Sequence, residues 1–120
     1  MTQRQDEIAL VLRGRRTIND YRPDRPPEEE VLAAIELARW APNHKLTQPW
    51  RFHIIGPETA AAIVELNARL IEAAKGPEAA ESKRRRWGTI PGWLAVTCTR
   101  SEDPQRARED YGACCCAIQN

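Results

Sequence analysis

Two stretches carry the residue types from which a binding site is made. Arg15-Arg16-Thr17 sets two guanidinium groups beside a hydroxyl. A guanidinium fork makes bidentate, charge-assisted bonds to a phosphate, and a hydroxyl adds a further donor. Two adjacent arginines are a weak motif, and a solvated basic turn is the more frequent origin of such a pair. Ala41 to Trp50 reads Ala-Pro-Asn-His-Lys-Leu-Thr-Gln-Pro-Trp, a polar loop between two apolar segments. Concave sites draw backbone and polar side chains from such loops when rigid neighbours hold them. His53 is read as a strand-face residue, because no second ligand lies near it in sequence. Neither a catalytic triad nor a general-base dyad is apparent.

The elements that must position these stretches follow from periodicity. Asp6 to Arg13 is a short helix, with Gly14 in the position of a C-terminal glycine. Tyr21 to Pro27 is a proline-rich connector. Glu28, Glu29 and Glu30 suit the positive end of the next helix, and Val31, Ala34, Ile35 and Ala38 keep helical spacing. That helix is expected over Glu28 to Ala41, with Trp40 closing it and Pro42 stopping it. Arg51 to Ile55 is a strand, and Gly56-Pro57 turns the chain. Glu58 to Lys75 is an Ala-rich helix, with Thr59, Ile63, Leu66, Leu70 and Ala73 along one side. Gly76-Pro77 breaks it. Glu78 to Trp87 is weakly helical, and Trp93 to Thr99 is a second strand rich in β-formers. Arg106 to Asn120 is an apolar helix with no C-terminal stop signal. Helices and strands mix without regular βαβ alternation, and no GxGxxG or P-loop occurs, so the class is α+β.

Composition narrows the function. The chain has 120 residues and a net charge of +1, which suits one domain with a modest core. Nothing global points to nucleic acid or membrane. No apolar run is long enough to span a bilayer, and the polar N-terminus lacks a signal peptide's core, so a cytoplasmic location is the default expectation. Lys83-Arg84-Arg85-Arg86 lacks the interleaved aromatics of a nucleic-acid surface and reads as a solvated helix face. Cys98, Cys114, Cys115 and Cys116 form no metal motif, since three adjacent side chains on a helix fan out about 100° apart. They are expected to be packing residues of a buried helix.

Taken in order, Arg15-Arg16-Thr17, the helix ending Ala41-Pro42, and Gln48-Pro49-Trp50-Arg51-Phe52 resemble the nitroreductase family of FMN-dependent oxidoreductases. The likeness runs across nearly the whole chain, through Pro91 and Gly112 to Asn120. Asn43-His44-Lys45 resembles the short NAD(P)H nitroreductase subgroup in particular. The resemblance implies a nitroreductase-like α+β fold over residues 1–120, with a central, mostly antiparallel sheet flanked by helices and incomplete at the C-terminus. It implies a homodimer with FMN at the subunit interface, NAD(P)H as reductant and a small-molecule electron acceptor. The cofactor-binding residues carried over are Arg15, Arg16, Thr17, Asn19, Trp40, Pro42, Asn43 and His44, with no catalytic side chain and no metal. Arg15 matches the arginine that pairs with the FMN phosphate, and Arg16 and Thr17 match its neighbours. Asn19 stands where a basic residue is common and brings a donor without charge. Pro42, Asn43 and His44 match the loop that reaches the flavin from the other subunit. Leu46 replaces a frequent Asn, whereas Gln48, Pro49 and Trp50 are structural.

By this likeness the chain corresponds to roughly the first two-thirds of a short family member. The expected activity, assigned to the full-length protein, is ping-pong reduction of nitroaromatic or quinone-type acceptors; a separate reading of Lys83 to Arg86, from charge alone, is long-range steering of the NADPH 2′-phosphate. Other flavin chemistry of the same fold, such as flavin fragmentation or azoline dehydrogenation, stays open. So does an inactive truncated chain that only dimerises.

Overall fold

Trp50–Ile55 (β1) and Trp93–Cys98 (β2) pair antiparallel, with Trp50 opposite Cys98 and Ile55 opposite Trp93. Five helices accompany this ribbon in a computed structural model that describes residues 2–120. They are α1 (Gln3–Gly14), α2 (Glu28–Ala38), α3 (Pro57–Lys75), α4 (Pro77–Gly88) and α5 (Pro104–Gln119), with a 3-10 turn at His44–Leu46. The class is α+β, as expected. Among the described residues no helix is long and apolar enough to cross a membrane.

α1 starts earlier than the expected Asp6, because Thr2 and Gln5 form a reciprocal capping box. Gly14 is its last residue rather than its stop, and Arg15 leaves in an extended conformation. Nothing on α1 is buried, and Ile8, Leu10, Val11 and Leu12 are all more than half exposed.

α2 ends at Ala38, three residues before the expected end. There the ladder tightens: the amides of Trp40 and Ala41 donate to the carbonyls of Leu37 and Ala38, each at 3.1 Å. This turn tucks Ala38 and Ala41 into the core and leaves Trp40 79% exposed.

α3 and α4 form a hairpin about Gly76, whose φ of 89° and ψ of 174° suit glycine alone. Of the face expected on α3, Ile63 is half-buried, while Thr59, Leu66, Leu70 and Ala73 are exposed. The inward stripe is Ala60, Val64, Ala68 and Ile71, with Ala68 fully buried near the equally buried Ala80 of α4. Small side chains let the two backbones approach, so alanines fill the fully buried positions of the seam, with the half-buried Val64 and Ile71 beside them.

The core is small. It joins Ala38, Ala41, Trp50, Ala113, Cys114 and Ala117, with Phe52, Val96 and Cys98 packed against it. α5 is capped by Asp103, whose carboxylate accepts from the Gln105 amide at 3.1 Å. Its buried face is Asp110, Ala113, Cys114 and Ala117, at helical spacing. Cys115 and Cys116 point outward and are exposed. The cysteine run is therefore packing at Cys114 alone, because adjacent helical residues cannot share one face.

Candidate functional site

The loop from Ala41 to Trp50 is anchored at its far end. Pro49 is fully buried, Trp50 is 5% exposed, and the Pro49 carbonyl accepts from the Thr99 amide at 2.7 Å. This holds the loop to the end of β2, as expected for a structural Gln-Pro-Trp segment.

Between these anchors the backbone is unusual. Lys45, Leu46 and Gln48 have φ of 60°, 51° and 45°, and none of them is glycine. L-residues in this left-handed region carry a steric penalty and persist only where their surroundings over-determine them. The surroundings here are polar. The Gln48 amide donates to Asn43 Oδ1 at 2.6 Å, Asn43 Nδ2 donates to Thr47 Oγ1 at 3.0 Å, and Thr47 Oγ1 donates to Asp110 Oδ1 at 2.5 Å. Asp110 belongs to α5 and is 4% exposed. Thr47 and Asp110 were not among the expected site residues. The available signal was a carboxylate inside the otherwise apolar stripe Ala113, Cys114 and Ala117.

The expected cofactor residues divide into two groups. Pro42 and His44 are exposed on the loop, and Asn43 is half-buried with both ends of its carboxamide engaged. Arg15, Arg16, Thr17 and Asn19 lie in the exposed segment after α1. Arg16 turns its guanidinium back onto the carbonyls of Arg13 and Arg15, at 2.7 and 2.8 Å. Arg15, Thr17 and Asn19 spend no side-chain donor on another described residue. Their guanidinium, hydroxyl and amide suit a phosphate and polar ring atoms, so the donor set fits the phosphate-bearing flavin that the sequence suggests.

The three clefts found among the described residues each leave the two groups apart. One of about 550 Å³ lies between α2 and β1, lined by Leu32, Ile35, Arg39, Thr47, Gln48 and Trp50 among others. A second, of about 440 Å³, lies at the other end of the ribbon, against α3 and α4. There Trp87 and Trp93 pack with ring centroids 5.1 Å apart.

The basic run of α4 is only partly a solvated face. Arg84 pairs with Glu65 and Glu81, and the Lys83 ammonium lies 5.5 Å from the Trp87 ring centroid. Arg85 and Arg86 are exposed. His53 is an exposed strand residue whose Nε2 lies 3.0 Å from Thr97 Oγ1.

The loop is thus strained and held between a sheet end and a buried carboxylate of α5. The class of the chain is shown by comparison with known proteins. The sequence profile of the Nitroreductase family matches residues 12–120, and the chain belongs to that family. Among its relatives is YfhC of Bacillus subtilis (strain 168), by name an inferred NAD(P)H nitroreductase. It is 31% identical over 115 residues, covering 92% of this chain and 59% of YfhC. Nitroreductase NfnB of Mycolicibacterium smegmatis is 42% identical over 45 residues, covering 38% of this chain and 19% of NfnB. In three dimensions the chain is similar to a nitroreductase-like family protein from Bacillus cereus. The TM-score is 0.76 at 25% identity, covering 93% of this chain and 60% of that one. The chain thus spans about three-fifths of the length of YfhC and of the Bacillus cereus protein.

Proposed function

We propose that the protein is an FMN-dependent NAD(P)H oxidoreductase that reduces nitroaromatic or quinone-type acceptors. The observation that carries this reading is the locked, strained loop presenting Pro42 and His44 to solvent, in a chain that matches the family over residues 12–120. FMN, when bound, supplies the hydride chemistry between NAD(P)H and the acceptor.

The chain's own residues bind and orient. Arg15 and Thr17 hold the phosphate, since the Arg15 fork bonds to no other described residue whereas Arg16 Nη1 donates to the carbonyls of Arg13 and Arg15. Asn19 donates to the ring's polar edge without adding positive charge. Asn43, its carboxamide engaged, contributes backbone. Pro42, His44 and the exposed indole of Trp40 form a wall. A homodimer with the cofactor at the subunit interface accounts for two features. The phosphate residues and Pro42 to His44 line none of the three clefts found among the described residues. The apolar side chains of α1 also stand exposed, and a second subunit would cover them.

Flavin absorbance after titration with FMN, and NADH and NADPH consumption with a model nitroaromatic, test the reading. Stoichiometric FMN uptake is expected, with Arg15→Ala weakening it about tenfold or more through loss of a charge-assisted fork. A chain that takes up no FMN overturns the proposal, as does an Arg15→Ala variant that binds FMN like the parent. FMN uptake without NAD(P)H consumption would move the protein to the other flavin chemistries of the fold.

A further inference from the structure

We propose that Asp110 is a positioning residue of the candidate site: it is the terminal acceptor of a hydrogen-bond relay across residues 43–48 that holds Lys45, Leu46 and Gln48 in their left-handed conformation. The consequence for flavin rests on the function proposed above; the relay itself does not.

The direction follows from donor and acceptor chemistry. The Gln48 amide can only donate, so Asn43 must turn Oδ1 toward it, at 2.6 Å. That leaves Nδ2 for Thr47 Oγ1, at 3.0 Å, and Nδ2 can only donate. The Thr47 hydroxyl has one proton, and with its oxygen accepting from Asn43 that proton goes to Asp110 Oδ1, at 2.5 Å. Every bond runs the same way and ends on a carboxylate oxygen, an arrangement in which each bond polarises the next. A donor at position 110 would reverse the last step and leave the Thr47 proton without its acceptor.

The relay acts where the backbone is strained. It closes from Asn43 onto the Gln48 amide, and so encloses Lys45 and Leu46, with φ of 60° and 51°, and ends on Gln48, with φ of 45°. None is a residue type that favours this region. By backbone, the Leu46 amide bonds back to the Asn43 carbonyl at 3.2 Å. The side-chain relay is what ties the loop to α5, across 63 positions of sequence. Asp110 is 4% exposed and never reaches the surface that Pro42 and His44 present, so it acts through Thr47 and Asn43.

The test uses four variants of the full chain. Thr47→Val and Asp110→Leu remove the polar link at nearly constant volume. Thr47→Ser and Asp110→Asn keep a hydroxyl and an accepting oxygen. Amide hydrogen exchange is read without FMN, and FMN affinity separately. Thr47→Val and Asp110→Leu should speed Gln48 exchange about tenfold or more while the α3–α4 hairpin amides stay unchanged. The same two should weaken FMN binding about tenfold, and Thr47→Ser and Asp110→Asn should recover most of both. Unchanged Gln48 exchange overturns the relay, and so does failure of the conservative pair to recover it, since Asp110 would then be packing alone. If Asp110→Leu does not fold, the Thr47→Val and Thr47→Ser pair decides. Faster exchange with unchanged FMN affinity overturns the positioning role. A parent protein that binds no FMN sinks the flavin reading, while the exchange result still decides the relay.

Discussion

Arg84 on α4 grips Glu65 on α3 through two nitrogens, Nε at 3.0 Å and Nη2 at 3.3 Å, while its Nη1 takes Glu81 at 2.6 Å. The fork spans the hairpin that the alanine seam brings together. It holds the Glu65 carboxyl below its ordinary pKa, chiefly through the hydrogen bond and then through the charge of Arg84. A carboxyl with a depressed folded pKa stabilises the fold above its unfolded value, and the contribution is lost as pH falls through the folded one. Glu65→Gln should therefore lower Tm at neutral pH, and the gap to the parent should close in acid. Both side chains are partly solvent-exposed, so the drop is small. Thermal melts of the two proteins across the acid range check this. A gap that widens in acid contradicts the pairing.

Gly76 turns the hairpin at φ 89° and ψ 174°. A Cβ there meets no atom within 4 Å, so the cost of a side chain is conformational rather than steric crowding by neighbours. Gly76→Ala should destabilise by about 1–3 kcal/mol, the range for a residue held in a glycine-only region. Gly88, in α4 and equally uncrowded, should tolerate alanine with little change or a small gain. Urea midpoints of the two variants separate these outcomes.

Ala68 is fully buried in the α3–α4 seam, and Ala80 is 1% exposed. Leucine at position 68 has no space to enter without parting the helices. Ala68→Leu should cost about 1–3 kcal/mol or more from overpacking. Ala62→Leu, on the exposed side of the same helix, should be nearly neutral. Equal effects at the two positions would show that the seam is not close-packed.

The seam also marks where the sequence stopped being readable. Val31, Ile35 and Ala38 on α2 keep a spacing that any hydrophobic pattern detects, and they do turn inward, whereas Ala34 of the same pattern is exposed. Pro42 and Pro49 bracket the loop, because proline stops a helix and precedes a strand. On α3 the large residues Leu66 and Leu70 drew the pattern to the wrong face, since alanines carry the contact and weigh little in a hydrophobic count. The loop itself was visible as polar, but not its shape. Lys45, Leu46 and Gln48 give no local sign of left-handed backbone, a state usually announced by glycine or asparagine. That state is imposed by Asp110, a partner 63 positions from Thr47, and local patterning has no access to such a distance. The two stretches that carry the family resemblance are legible from residue types and order alone.

The cysteine run offers a test of both helix phase and electrostatics. Cys114 is 5% exposed, facing Cys98 of β2, while Cys115 and Cys116 face solvent on the same helix. Burial pushes the Cys114 thiol up to about 12, helped by a hydrogen bond with Cys98 and by the nearby charge of Asp110. The neutral thiol is thus the favoured folded form. Its contribution to stability is complete below the ordinary thiol pKa and is lost as pH rises through the folded value. At mildly alkaline pH, iodoacetamide should modify Cys115 and Cys116 readily. Cys114 should react slower by a factor of roughly a hundred or more, because the thiolate is the reacting species and the site is closed. Unfolding in guanidinium should bring all three to similar rates. Peptide mass spectrometry of a labelling time course reads this directly, and early modification of Cys114 in the folded protein would mean that α5 does not pack with the phase described.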